Sequence, residues 1–307
     1  MKCLAIVSLI AIARAQSQQP SFQTSTDLVS VVVTVRDQHN KLITNLDKSS
    51  LRVFEDGRSR DIKYFAQDSS APLTIGLLID SSAGQGFLLR TVRDAAMQFL
   101  STAVREKDLA FLINFDTEVT LLADLTNNQA ALKRGLQQMR SGVGYPIGPL
   151  AELNLSRTHL YDAIYLAAEK LKDEAGHKAI IMIASGDDKG SKVKLDEAMV
   201  AAEKADAAVY AIRYIDPDLS GTSYASLKQQ TTMRNIADGT GGRTLNPARP
   251  DSVTKAVRDI AEELRGQYSI GFTPAKLDGS VHKIEVRVSQ HGLRAQCRKT
   301  YFAEARP

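Results

Sequence analysis

The chain has 307 residues, 43% of them apolar and 24% charged, with 19 Gly and 9 Pro, a composition that excludes disorder throughout. At that length about two domains are expected, with a core that needs no disulfide or metal staple. Basic residues number 39 and acidic residues 35, with no run of five like charges, so no tail for nucleic acid or membrane is present in the charge pattern.

Met1 and Lys2 precede an apolar run from Cys3 to Ala13, and Ala13-Arg14-Ala15 has the small-x-small form of a signal-peptidase site. A permanent membrane span needs about 20 apolar residues, and this run is shorter. Residues 1–15 are therefore expected to be an export signal and 16–26 a polar spacer, with no integral membrane segment after removal and a periplasmic or extracellular destination. The mature chain would keep 37 basic and 35 acidic residues, with Cys297 as its one thiol, which excludes an intramolecular disulfide or a multi-cysteine metal site.

Leu28 to Arg36 is β-branched and reads as a strand; Leu51 to Glu55 and Asp61 to Phe65 alternate apolar and polar around the hairpin signal Asp56-Gly57. After Pro72 the character changes. Buried runs at Leu73–Ile79, Leu109–Phe115, Ala179–Ala184 and Ala207–Tyr214 take turns with helical patterns at Phe87–Leu100, Ala130–Met139, Leu160–Leu171, Leu195–Ala205 and Val253–Leu264. Glu118 to Leu125 follows its neighbour too closely for a crossover, which predicts one antiparallel edge strand. Tyr268–Phe272, Val281–Val288 and Leu293–Tyr301 then return to β character.

The alternating block predicts an α/β fold, a doubly wound, mostly parallel sheet. Either flanking β set alone would leave an apolar face and open edges. The expectation is a β-sandwich built from both chain ends, residues 27–71 and 267–303, with the α/β domain at 72–266 inserted between its parts.

In open α/β sheets, ligands bind beyond the carboxyl ends of the strands. Three loops there carry hard oxygen donors: Asp80-Ser81-Ser82-Ala83-Gly84, Ser156-Arg157-Thr158 at the start of a helix, and Ser185-Gly186-Asp187-Asp188. Carboxylate and hydroxyl oxygens of this kind suit Mg²⁺ or a similar cation. The alternative is that Ser82 and Thr158 cap helices and Asp187 and Asp188 form a solvated turn.

These loops resemble the metal-ion-dependent adhesion site of von Willebrand factor type A (VWA) domains, which uses D-x-S-x-S, a distant Thr and a later Asp. Asp80, Ser82 and Thr158 match, whereas Gly84 stands for the second Ser and Ser185 for the later Asp. Val53-Phe54-Glu55-Asp56-Gly57, Leu195-Asp196-Glu197-Ala198, Thr240-Gly241-Gly242-Arg243, Tyr268 to Pro274 and the Arg298/Tyr301 ending resemble the VWA-related exported proteins of acidobacterial type.

The resemblance implies an exported, non-enzymatic module of adhesion type that binds a protein, through a partner's acidic side chain where a metal is held. It places the metal ligands at Asp80, Ser82 and Thr158, with Ser185, Asp187 and Asp188 as further candidates and Mg²⁺ or another divalent cation as cofactor. The two departures imply a degenerate site, and a metal-independent structural or assembly module of an exported complex is the alternative. Tyr145-Pro146-Ile147, apolar and just ahead of Thr158, is the candidate partner contact.

Rival chemistries find little support in the residues. No G-x-S-x-G elbow follows a predicted strand, because Gly221-Thr222-Ser223-Tyr224-Ala225 fails at its last position. Gly84-x-Gly86 lacks the third glycine of a dinucleotide loop. A phospho-receiver using Asp80 would be separated by export from cytosolic kinases.

Overall fold

The computed structural model describes residues 28–67, 69–82, 88–139, 158–215 and 224–303. The expected signal at 1–15, the spacer at 16–26, Gly84 and Tyr145-Pro146-Ile147 lie outside the described residues.

Both chain ends are β-structure. β1 (Val29–Arg36), β2 (Leu51–Glu55), β3 (Arg58–Arg60) and β4 (Ile62–Ala66) come from the N-terminal part. β11 (Tyr268–Phe272), β12 (Val281–Val288), β13 (Arg294–Gln296) and β14 (Thr300–Phe302) come from the C-terminal part. They form two antiparallel sheets, ordered β13-β1-β11-β4 and β14-β12-β2-β3, so each sheet mixes strands from both ends. Period-two alternation points Val31, Val33 and Val35 inward, where they pack with Val53, Ile270 and Phe272 in a shared core. Burying each such side chain contributes about 1.5–3 kcal/mol relative to exposing it. The expected single strand over Leu293–Tyr301 is instead two short ones, because the chain changes sheets between β13 and β14.

The inserted part contains β5 (Leu73–Asp80), α1 (Leu89–Ala103), β6 (Leu109–Phe115), β7 (Val119–Thr126), α2 (Gln129–Gln138) and α3 (Leu160–Leu171). It continues with β8 (His177–Ala184), α4 (Leu195–Lys204), β9 (Ala207–Arg213), α5 (Tyr224–Thr240), β10 (Thr244–Leu245) and α6 (Pro250–Arg265). The sheet order is β10-β9-β8-β5-β6-β7, parallel except for the antiparallel edge strand β7. α1, α2 and α6 cover one face, and α3, α4 and α5 cover the other. All eight residues of β5 are buried, as expected of a central parallel strand covered on both faces.

A buried polar network joins the two layers. The Glu263 carboxylate, fully buried on α6, is paired with Arg36 of β1, accepts from Arg243 Nε at 2.7 Å and accepts from the Tyr210 hydroxyl at 3.2 Å. Gln267 Nε2 donates to Thr34 Oγ1 at 3.2 Å and to the Tyr210 hydroxyl at 3.0 Å. Farther along the seam, Arg298 pairs with Asp206 at 2.8 Å and donates to the Ser30 carbonyl at 2.7 Å.

Candidate functional site

β5 and β8 run in parallel register, with Ile79 opposite Ile183, so their carboxyl ends finish side by side. Asp80 is 2% exposed there. Its Oδ1 accepts from the Ser82 N–H at 3.0 Å, and the Ser82 side chain also hydrogen-bonds the carboxylate. Its Oδ2 accepts from Ser185 twice, from the N–H at 3.2 Å and from Oγ at 3.1 Å. Burial pushes the Asp80 carboxyl above the usual range, and the hydrogen bonds from Ser82 and Ser185 oppose that shift.

Thr158, also 2% exposed, does not cap α3; His159 occupies the N-cap position. The Thr158 hydroxyl donates to the Asp187 carbonyl at 2.7 Å, and its own carbonyl accepts from the N–H groups of Lys189 and Gly190. The Asp187 N–H in turn donates to Ser185 Oγ at 3.3 Å, so Thr158 reaches the Asp80 cluster through the backbone of the β8 loop. Neither later carboxylate turns toward Asp80. Asp187 pairs with Lys189 at 2.9 Å, while Asp188 accepts from Ser191 Oγ at 2.6 Å and from the Tyr161 N–H at 3.2 Å. Burial raises the Asp188 carboxyl, partly offset by those two donors.

Two acids absent from the sequence-based set hold the loops together. Asp116, just past β6, accepts from Ser81 Oγ at 3.1 Å, while its carbonyl accepts from the His159 N–H at 3.0 Å. It thereby ties the β5 loop to the Thr158 loop. Asp162, in the first turn of α3, accepts from the N–H groups of Lys192 and Val193. An acid directly after an apolar strand, the signal that drew attention to Asp80, is equally present at Phe115-Asp116.

A divalent cation bound among hydroxyls and carboxylates requires all of them to turn lone pairs inward and requires compensating negative charge. Here one carboxylate, Asp80, faces the cluster, and the Ser185 and Ser82 donors point into it. Among the described residues no group of three or more His, Cys, Asp or Glu is placed to hold a metal. Among the described residues, hydrogen-bond donors of Ser82 and Ser185 stand beside the Asp80 carboxylate; residues 83–87 of the same loop lie outside them.

Neither a protein-family model nor a curated protein sequence matches the chain. Solved structures do match. A von Willebrand factor type A protein from Catenulispora acidiphila is 10% identical over 92% of this chain and 75% of that one, with a TM-score of 0.51. Proximal thread matrix protein 1 from the mussel byssus is 11% identical over 75% of this chain and 50% of its own, with a TM-score of 0.51; another structure of it is described with a zinc-occupied metal-site motif. The pilus adhesin SpaC from Lactobacillus rhamnosus GG is 11% identical over 87% of this chain and 43% of its own, with a TM-score of 0.50. The chain thus spans about half the length of the mussel protein and less of the adhesin. At these identities the likeness defines a fold: the inserted α/β domain has the von Willebrand factor type A fold, here joined to a two-sheet β-sandwich.

Proposed function

We propose that this chain is an exported, non-enzymatic, protein-binding module of adhesion type, whose contact surface is the loop cluster at the carboxyl ends of β5, β6 and β8. In this reading the metal-site motif is degenerate and holds its loops by hydrogen bonds. The observation that carries it is Ser185 donating through both its N–H and its hydroxyl to the buried Asp80 carboxylate. The pilus adhesin and byssal matrix protein that share the fold support an adhesive role. Tyr145-Pro146-Ile147 supplies the apolar part of the contact.

A hydrolytic role is disfavoured by the site itself. The Ser81 hydroxyl is committed to Asp116, and no histidine bonds to it among the described residues. No helix among the described residues is long and apolar enough to cross a membrane.

The test is calorimetric titration of Mg²⁺ and Mn²⁺ into the folded chain and into its Asp80→Ala variant. Neither protein is expected to give saturable heat up to millimolar metal. Binding at micromolar to low-millimolar metal that Asp80→Ala abolishes would overturn the degenerate-site reading and make the partner's carboxylate a metal ligand.

A further inference from the structure

β9 ends at Arg213, which pairs in register with Ala184, the residue before Ser185. Because Ile79 pairs with Ile183, Asp80, Ala184 and Arg213 stand in one row across β5, β8 and β9 and share a face of the sheet. Two strand spacings, about 10 Å, separate the Arg213 backbone from that of Asp80. The first half of α5 closes this side of the cluster: a Cβ added to Gly186 would lie 2.7 Å from Met233 Sδ and 3.0 Å from the Gln229 carbonyl. Arg213 Nη2 donates to Ser226 in the first turn of α5, to Oγ at 2.8 Å and to the carbonyl at 3.4 Å. Nε is sealed from solvent without a hydrogen-bond partner; Nη1 makes no hydrogen bond either and is not sealed.

Among the described residues no carboxylate neutralises this guanidinium. The part-buried Arg36, Arg60, Arg243, Arg265 and Arg298 each pair with an acid. Arg93 instead meets the Met139 carbonyl just past α2, at the negative end of that helix. Arg213 has neither compensation, and it rests against the positive end of α5, whose first turn carries no acid. Burial pushes the guanidinium below its usual range, with no neighbouring charge to oppose the shift. An unpaired cation held at a helix N-terminus is stabilised by an anion. One negative charge suits it best, because Asp80, Asp187 and Asp188 belong to the same loop cluster and would repel a doubly charged phosphate.

Resting on the protein-binding reading above, we infer that Arg213 is the receptor for an acidic side chain, Asp or Glu, of the partner protein that docks on the carboxyl-end loops. The planar guanidinium offers its Nη1 N–H groups to the carboxylate, while Ser226 fixes its orientation through Nη2. The contact needs no metal. Charge-assisted hydrogen bonds of this kind discriminate against the neutral amide, which would leave the cation uncompensated. The absence of an internal acid is what keeps the guanidinium available to the partner.

The test is an NMR titration of the full chain, in chelator, with a capped Gly-Asp-Gly peptide, its Gly-Asn-Gly counterpart, acetate and inorganic phosphate. With the Asp peptide, saturable shifts are expected at the Arg213 Nε–H and at the amides of Ser185, Gly186 and Ser226. The Asn peptide is expected to bind at least about tenfold more weakly. Arg213→Met is expected to abolish that preference while melting at or above the parent's temperature, since it removes an uncompensated, part-buried charge. Ser226→Ala keeps the charge and is expected to weaken binding severalfold. A lower melting temperature for Arg213→Met would make the guanidinium a structural group and overturn the assignment. So would no saturable shift with any probe, a peptide response that requires Mg²⁺, or phosphate binding more tightly than the peptide. Shifts at residues 80–82 and 185–189 that ignore both the Asp side chain and Arg213→Met would overturn Arg213 and keep the protein-binding surface. Acetate binding as tightly as the peptide would instead mark a small-anion site, overturning the assignment and counting against the protein-binding reading itself.

Discussion

Ser185 decides the character of the Asp80 cluster. A carboxylate in its place would face Asp80 at hydrogen-bond distance, and two buried like charges repel unless a cation or proton lies between them. Ser185→Asp is therefore expected to lose about 1–3 kcal/mol of stability in the presence of chelator, and to recover it when Mg²⁺ is added. Thermal denaturation with and without metal reads both effects; a variant indifferent to Mg²⁺ would mean that Gly84 and the rest of the loop cannot complete a site. Ser185→Ala removes one donor from a buried acceptor and is expected to cost about 1–2 kcal/mol with no response to metal. The position of Ser185 is legible in the sequence because it directly follows a buried apolar strand. Asp116 carries the same signal after β6, but its role does not show in the sequence, because its partner Ser81 lies 35 positions away and only the β5–β6 pairing brings them together.

The turns and short strands show how far local pattern reaches. Asp56-Gly57 signals a tight hairpin, and both residues adopt left-handed φ, +47° and +79°, as its two-residue turn requires. The helix α5 escapes notice because its apolar positions are sparse and Thr231, Thr232 and Gly239 dilute its helical propensity; its burial of Met233, Ile236 and Ala237 is a tertiary effect. The same hairpin turn also holds a charged link that sequence does not show. His282 Nδ1 bonds Asp56 at 2.7 Å and Nε2 bonds Asp278 at 3.2 Å, tying the β2–β3 turn to the β11–β12 loop. The Ser280 hydroxyl also lies 3.1 Å from Nε2. The Asp56 hydrogen bond chiefly holds His282 above its ordinary range, while Ser280 and His282 hold Asp278 down to about 2. His282 stabilises the fold fully below its unfolded value of 6.5, and that contribution disappears as pH rises through its elevated folded value. Asp278 contributes above its unfolded value of 3.8, and loses its contribution as pH falls toward about 2. The stabilisation is thus greatest between those limits. Asp56→Asn is expected to lower the His282 titration midpoint read by NMR, and an unchanged midpoint would remove Asp56 as its cause.

At the scale of the whole molecule, the inference that two β stretches complete each other follows from the edges and apolar faces each would otherwise expose, and the mixed sheets realise it. What joins that sandwich to the inserted domain was hidden, because Arg36, Arg243 and Glu263 read individually as surface charges. In the fold, one fully buried carboxylate faces two guanidinium groups, one from each layer, and the Tyr210 hydroxyl. Removing one member of a buried ionic cluster is more damaging than never having built it, since the remaining charges stay desolvated. Glu263→Ala is expected to cost about 3–5 kcal/mol on that ground. If the network is what makes the two layers unfold together, the variant should also separate them. Calorimetry would show one transition for the parent chain and two for the variant, with amides of β1 and β11 exchanging before those of β5 and β8. Arg36→Met removes the sandwich's charge and leaves Glu263 paired with Arg243, so it should weaken the coupling while sparing the inserted domain. A single transition retained in both variants would place the coupling instead on the Arg298–Asp206 pair and the close approach of Gly241, whose added Cβ would lie 2.6 Å from the Arg298 nitrogen.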